Sequence, residues 1–435
     1  MSIKIPIDNL SLEQVEIVKK ELTIRIKGGK YAGGVTKYVH PYFTTDKDIY
    51  IPMSFAFSRM KLKRKPRSGY PEISEIAFVG SLREEQIQVR KEALEILSKT
   101  GSVILSLYTG CGKTFCAINL ACKIKLKTLI VVNKLILIKQ WEKSIIDVCP
   151  TANIQKLTTK SDLDEDCDFY IINAINVEKF QDGFFDSIGC LIIDELHLIL
   201  AETLCKSLQH VEPRYLIGLS ATAYREDGLD VLINIFFGEN RIIRTMFREH
   251  IVYCVYTGFT PEIVKTEDDK LNWSALLKDQ SEDEERNNLI VSIVSKHKDR
   301  TFLILTKRVE QGRLLFKKLE EAGEVVSSLI GKEQEFDRSC RILVGTTSKC
   351  GTGFDFPELD ALILASDMND YFVQALGRIF RKQDTIPIVF DLVDNNPVLM
   401  KHYKNRKEVY VKHGGKIIGY KGCKEQKDVK HKRLL

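Results

Sequence analysis

The sequence predicts an α/β protein of two consecutive parallel-sheet units preceded by a small N-terminal accessory domain. Three observations predict it. Short, apolar, strand-like runs alternate with amphipathic stretches from residue 82 onward, the rhythm of strands buried between helices. That rhythm is interrupted by a polar, acidic stretch at 282–286 and then restarts. The length of 435 residues, 44% of them hydrophobic, suffices for two or three filled cores.

The elements follow in order. Residues 1–80 carry short mixed segments with little periodicity and read as an accessory domain, a candidate nucleic-acid binder. Near its end, residues 59–67 place six cations in nine positions, from Arg59 to Arg67. Such a run fits contacts to a phosphate backbone or a solvated linker. The first sheet unit, 81–250, has strands at 102–107, 128–132, 169–173, 191–194 and 215–220. The second, 251–400, has strands at 301–306, 341–346, 361–365 and 387–392, with helices at 309–322 and 371–381. Residues 401–435 hold twelve Lys/Arg against three Asp/Glu and read as a basic tail.

The first of these strands runs into Tyr108-Thr109-Gly110-Cys111-Gly112-Lys113-Thr114, followed by an apolar helix. Gly110 and Gly112 let the backbone curl with its N–H groups turned toward a phosphate, and the helix N-terminus adds positive potential. Lys113 would reach the β- and γ-phosphates of ATP, and the Thr114 hydroxyl would ligate Mg²⁺. Leu107 stands where the full pattern has its first glycine. The buried strand Cys190-Leu191-Ile192-Ile193 delivers Asp194-Glu195-Leu196-His197 at its carboxyl end, where ligands sit in open α/β sheets. Asp194 would hold Mg²⁺ largely through water and Glu195 would polarise the attacking water. A bare Asp-Glu pair is more often an exposed turn; the phosphate loop in the same sheet turns the balance.

In the second unit Arg378 and Arg381, three apart on the helix at 371–381, would share one face and address a γ-phosphate held by the first unit. The loop at 345–355, with Gly353 and Asp355, suits ribose, phosphate or nucleic-acid contacts, although taken alone it is a polar turn.

This ordered set resembles the superfamily 2 helicases over residues 82–395. Leu82-Arg83-Glu84-Glu85-Gln86 resembles the adenine-reading Q motif, which implies Arg83 and Gln86 at the base. The stretch 109–114 resembles motif I, and Asp194-Glu195-Leu196-His197 a DExH motif II. Gly218-Leu219-Ser220-Ala221-Thr222 resembles motif III, residues 345–355 motif V, and residues 374–381 motif VI. The resemblance implies tandem RecA-like domains, with ATP hydrolysed in the cleft between them. Residues His197, Ser220, Thr222 and Gln374 would couple hydrolysis to nucleic-acid binding. Leu-Arg-x-x-Gln, with Arg225-Glu226-Asp227 after motif III, is similar to the XPB/UvsW-like branch. Within it the chain looks most like the transcription-associated DNA helicases of large DNA viruses, of the poxvirus transcript-release type. Asn133-Lys134 departs from the usual motif Ia, and residues 1–80 do not match the XPB N-terminal domain.

The expected partner is DNA, single-stranded or duplex, with RNA as an alternative, and the expected state a monomer or a member of a transcription or repair complex. A duplex translocase that separates no strands is the rival enzyme. A scaffold with a dead ATP site would need a broken Lys113, Asp194, Glu195 or Arg381, and none is broken. A restriction-enzyme motor is weaker, because residues 1–80 show no nuclease-like cluster. No apolar run nears the ~20 residues of a membrane span, and Met1-Ser2-Ile3-Lys4 lacks a secretory layout. An intracellular soluble protein is expected, in the cytoplasm (viral factory or virion) if viral and otherwise in nucleus or cytoplasm. Eleven scattered cysteines without a C-x-x-C pair fit reduced thiols.

Overall fold

A computed structural model describes residues 1–27, 36–74, 76–199, 211–220, 230–267, 269, 271–350, 356–368, 372–382 and 384–420. The chain forms two compact units, Met1–Arg244 and Thr245–Leu435.

The first unit is built on a seven-stranded sheet whose pairings are all parallel. Across the sheet the strands run Arg241–Arg244, Ser102–Leu107, Tyr215–Ser220, Cys190–Ile193, Thr128–Val132, Phe169–Asn173 and Ile154–Lys156. Alternate residues of each strand feed separate cores. Leu105, Ile130, Ile171, Ile192 and Ile217 pack on one face with Val89, Ala117 and Trp141. Ile104, Leu129, Ile172, Leu191 and Leu216 pack on the other with Phe236 and Phe237. Burial on both faces explains why these strands read as continuous apolar runs instead of alternating ones.

Register brings the functional ends together. Ser106 lies opposite Ser220, and Ile193 opposite both Gly218 and Val131. The residues following strands 102–107, 190–193 and 215–220 therefore emerge at one edge, the carboxyl edge where parallel sheets bind ligands. The edge strands Arg241–Arg244 and Ile154–Lys156 escape sequence detection because they are short and carry charges.

Two small antiparallel sheets lie at the N-terminus, with Ser2–Pro6, Asp48–Pro52 and Phe43–Thr44 in one and Ile24–Lys27 with Thr36–Val39 in the other. Ile3, Ile5, Val18, Leu22, Ile49 and Ile51 form their own core, against which Ile235 packs. The basic run at 59–67 is largely spent on internal contacts. Arg59 grips Glu21 through both carboxylate oxygens, Arg67 bonds Glu72 and the Ile124 carbonyl, and Arg64 donates to the Lys99 carbonyl. Lys65 lies 4.5 Å from the Tyr70 ring centroid. Four of the six cations thus hold this segment onto its own unit, while Lys61 and Lys63 stay exposed.

The second unit carries another seven-stranded parallel sheet, in the order Val326–Leu329, Ile342–Thr346, Phe302–Thr306, Ala361–Leu364, Ile388–Val393, His250–Tyr256 and Gly415–Gly419. Residues 401–420, expected in a basic tail, are instead part of this fold. Asn396 caps the helix Pro397–Lys412, and Gly415–Gly419 pairs with His250–Tyr256. The lysines misled the expectation because Lys401, Lys404, Lys407 and Lys412 occupy exposed positions, while Leu399, Arg406 and Tyr410 are buried. Residues 421–435 lie outside the described part.

Candidate active site

The phosphate loop is shaped from behind. Gly110 and Gly112 adopt left-handed φ values of 91° and 85°, and the helix Lys113–Ile124 starts directly after them. Arg83 donates to the carbonyls of Gly110 (2.9 Å) and Cys111 (2.6 Å), and Gln86 Nε2 donates to that of Cys111 at 2.8 Å. A planar trans peptide points its N–H opposite its C=O. The Cys111 N–H, opposite the tied Gly110 carbonyl, donates to the Tyr108 carbonyl at 3.1 Å and closes the turn, while the Gly112 N–H, opposite the tied Cys111 carbonyl, faces away from the brace. A Cβ on Gly112 would lie 2.3 Å from Gln86 Nε2, so no other residue fits there without moving that brace.

Gln86, expected to read adenine, is 5% exposed, and both ends of its amide are engaged: Oε1 accepts from the Arg83 N–H at 2.8 Å. The structure places it, with Arg83, as a support of the loop. Glu85 accepts from the Tyr108 hydroxyl at 2.9 Å, fixing the loop's first residue. Burial pushes the Cys111 thiol up to about 11. Lys113 Nζ donates to the Leu107 carbonyl at 3.0 Å, and Thr109 and Thr114 are half-buried beside it. Leu107, standing in place of the pattern's first glycine, is the buried end of its strand.

Asp194 follows strand Cys190–Ile193, its N–H bonded to the Val131 carbonyl. Its Oδ1 accepts from the Glu195 N–H at 2.9 Å and its Oδ2 from Trp141 Nε1 at 2.8 Å. Burial, and then the neighbouring Glu195 charge, push the Asp194 carboxyl up to about 6; the Trp141 bond and the Lys113 charge oppose the shift. Lys113 and Asp194, far apart in sequence, thus act on one another. Glu195 has φ 49°, a left-handed conformation costing a non-glycine residue roughly 1–2 kcal/mol. Strain of this kind concentrates at functional positions. Trp141 was missed by the sequence reading; its one signal is that a buried indole N–H needs an acceptor.

The oxygen donors at hand, a threonine hydroxyl and a desolvated carboxylate, fit Mg²⁺, which binds through few protein oxygens plus phosphates and water. Raising the folded-state pKa means that the apo fold takes up a proton at Asp194 as pH falls through about 6, and is stabilised by it, whereas a Mg²⁺ held at Asp194 would require the ionised form. Mg²⁺-nucleotide affinity is therefore expected to weaken as pH drops through about 6 instead of near 4. Nucleotide titrations between pH 5 and 8 at fixed free Mg²⁺ check this; a flat profile down to pH 5 contradicts it.

Ser220 is buried at the end of its strand. His197 lies in the short helix Leu196–Ile199, its side chain outside the described part. Thr222, Gly353, Asp355 and residues 225–227 also lie outside it.

In the second unit Gln374 and Arg378 are buried on the helix Phe372–Ile379, and the Arg378 charge reaches the buried Cys350 thiol. The helix stops at Ile379, so Arg381 does not share a helical face with Arg378 as the spacing suggested. Beyond Ile379 the carbonyl of Phe380 is taken by the side chain of Arg248. Burial pulls the Arg381 guanidinium pKa down. The segment before this helix is also tied. Arg406 bonds both oxygens of Asp391 at 2.8 Å, Asp367 at 3.0 Å and the Met368 carbonyl at 2.6 Å. His402 and Tyr410 complete the network on Asp367 and Asp391. A buried arginine with every charge partner in place holds its neighbours in one arrangement.

Residues 80–225 match the family model described as the type III restriction enzyme, res subunit. Protein 161L of Invertebrate iridescent virus 6, designated a helicase, is 43% identical over 97% of this chain and 100% of its own length. The helicase-designated protein 055L of Frog virus 3 is 34% identical over 84% of this chain and 85% of its own. Among solved structures, S. cerevisiae Dbp5 bound to RNA and ADP–beryllium fluoride shares the fold, with a TM-score of 0.54 at 12% identity over 76% of this chain and 89% of that one. No helix among the described residues is long and apolar enough to cross a membrane. Two tandem RecA-like sheets and full-length similarity to these viral proteins give one result: the chain belongs to the superfamily 2 helicases, ATP-dependent enzymes acting on nucleic acid, and groups with those of large DNA viruses.

Proposed function

We propose that this helicase hydrolyses Mg²⁺-ATP at Lys113, Thr114, Asp194 and Glu195 to drive movement along DNA. The observation that carries the chemistry is the Asp194 carboxyl, desolvated, acted on by Lys113 and held by Trp141, at the carboxyl edge of the first sheet. In this reading the loop amides and Lys113 grip the phosphates, and Thr114 and Asp194 hold the cation. Glu195 accepts the proton of the attacking water, and Arg378 and Arg381 neutralise charge building on the γ-phosphate. Arg83 and Gln86 act on the nucleotide through the loop they support. Gly353 and Asp355 belong to the nucleotide side, and His197, Ser220, Thr222 and Gln374 pass the nucleotide state to the nucleic-acid contacts. Thr114 and Asp194 would hold Mg²⁺, which would supply positive charge to the phosphates.

DNA is favoured by the XPB/UvsW-like residues Leu82-Arg83 and Arg225-Glu226-Asp227, and viral transcription or repair in the host cell is the setting this implies. RNA, and duplex translocation without strand separation, are the second readings. The decisive measurement is ATP turnover with single-stranded DNA, duplex DNA, forked DNA and RNA, beside strand- and triplex-displacement assays. DNA is expected to stimulate more than RNA, and the reverse order overturns the DNA reading. Lys113→Ala is expected to lower stimulated turnover by roughly 10²–10³, the scale of losing one preorganised charge donor. Turnover near wild type in that variant removes Lys113 from the site.

A further inference from the structure

Arg248 lies four residues beyond Arg244, the last residue of the first unit. It has no place in the motifs, and its neighbourhood reads as a connection. Its guanidinium, however, donates to three main-chain carbonyls, those of Phe380, Lys382 and Thr385, the last at 2.8 Å. These carbonyls flank Arg381 on both sides. A planar guanidinium presents its donors in a fixed fork, so three simultaneous bonds define the loop's course more tightly than a flexible ammonium could.

Arg248 is itself immobilised. Its N–H bonds the His413 carbonyl at 3.0 Å, and its carbonyl meets His250 Nδ1 at 2.8 Å. Gly414, at φ 92°, passes so close that a Cβ there would sit 2.6 Å from the Arg248 carbonyl oxygen. The His250 ring packs on Phe380 with centroids 4.8 Å apart. Arg248 thus joins three pieces of one unit: the incoming chain, the turn after the helix Pro397–Lys412, and the loop bearing Arg381.

We infer that Arg248 is a positioning residue for ATP hydrolysis, fixing the loop that aims Arg381 from the point where the chain enters the second unit. This rests on the proposed role of Arg381. A guanidinium that meets charge only in the transition state has to be held before it forms, because small misplacements cost much of the rate. The Arg248 guanidinium is committed to main-chain carbonyls, so its loss should appear in kcat and spare nucleotide binding.

The test uses the full chain, with nucleic-acid-stimulated ATPase kinetics and thermal melting of Arg248→Ala, Arg248→Lys, Arg381→Ala and the Arg248→Ala/Arg381→Ala pair. Arg248→Gln, which keeps most of the stem, replaces the alanine variant if that fails to fold. The expected result is a kcat at least tenfold lower in Arg248→Ala with KM for ATP within twofold. Partial recovery is expected in Arg248→Lys, and a double variant no slower than Arg381→Ala alone. A collapsed Arg381→Ala beside an unimpaired Arg248→Ala, or fully multiplicative losses in the pair, overturns this inference alone. Full turnover in Arg381→Ala overturns the reading of Arg381 and this inference with it.

Discussion

Glu195→Gln is expected to cut nucleic-acid-stimulated ATP turnover by about 10²–10⁴, the usual worth of a positioned general base, while Mg²⁺-ATP still binds. Glutamine keeps the shape of the side chain and can hold a water, but it cannot take the water's proton. The left-handed backbone at φ 49° and the bond from its N–H to Asp194 Oδ1 aim the side chain, and the substitution leaves both in place. A second consequence separates this variant from simple damage. The Glu195 charge is one cause of the raised Asp194 pKa, so its removal lets Asp194 ionise at lower pH. The acid limb of Mg²⁺-nucleotide binding should therefore move downward in Glu195→Gln. Steady-state ATPase assays beside fluorescent-nucleotide binding over pH 5–8 measure both. Turnover within tenfold of wild type would show that Glu195 is not the base.

Arg378→Ala is the other large effect, a loss of about 10³–10⁵ in kcat if the side chain neutralises γ-phosphate charge in the transition state. Arg378 is only 8% exposed, on the helix Phe372–Ile379, with its charge felt at Cys350 just past the strand Ile342–Thr346. Lysine should rescue little, since an ammonium cannot present the same planar set of donors. ADP affinity and melting temperature, followed together, distinguish lost chemistry from lost folding. A kcat within tenfold of wild type in a folded Arg378→Ala removes it from the reaction.

Much of the fold was legible because its signals are local. The strand at 102–107 and the Gly-Lys-Thr turn lie within a dozen residues of each other, and a largely apolar strand announces burial on both faces. Strands at the sheet margins were missed for the converse reason. Arg241–Arg244, Ile154–Lys156 and Gly415–Gly419 are half-solvated and need no apolar run. What a basic run touches is hidden for a related cause. Charge density reports composition, whereas Arg59, Arg64 and Arg67 are committed to Glu21, Lys99, Glu72 and Ile124 by chain packing. The helix face shared by Arg378 and Arg381 also failed, because a spacing of three says nothing about where a helix stops.

By itself the sequence determined a phosphate loop and an acidic pair at the ends of parallel strands, with a second sheet carrying arginines, since each is written in a short stretch with its own period. Only the tertiary structure decided what stands behind them. Gln86 reaches a carbonyl 25 residues away, Trp141 an aspartate 53 away, and Arg248 a carbonyl 132 away. Such bonds depend on which chain crossover brings two distant segments side by side, and no local pattern of residues encodes that choice.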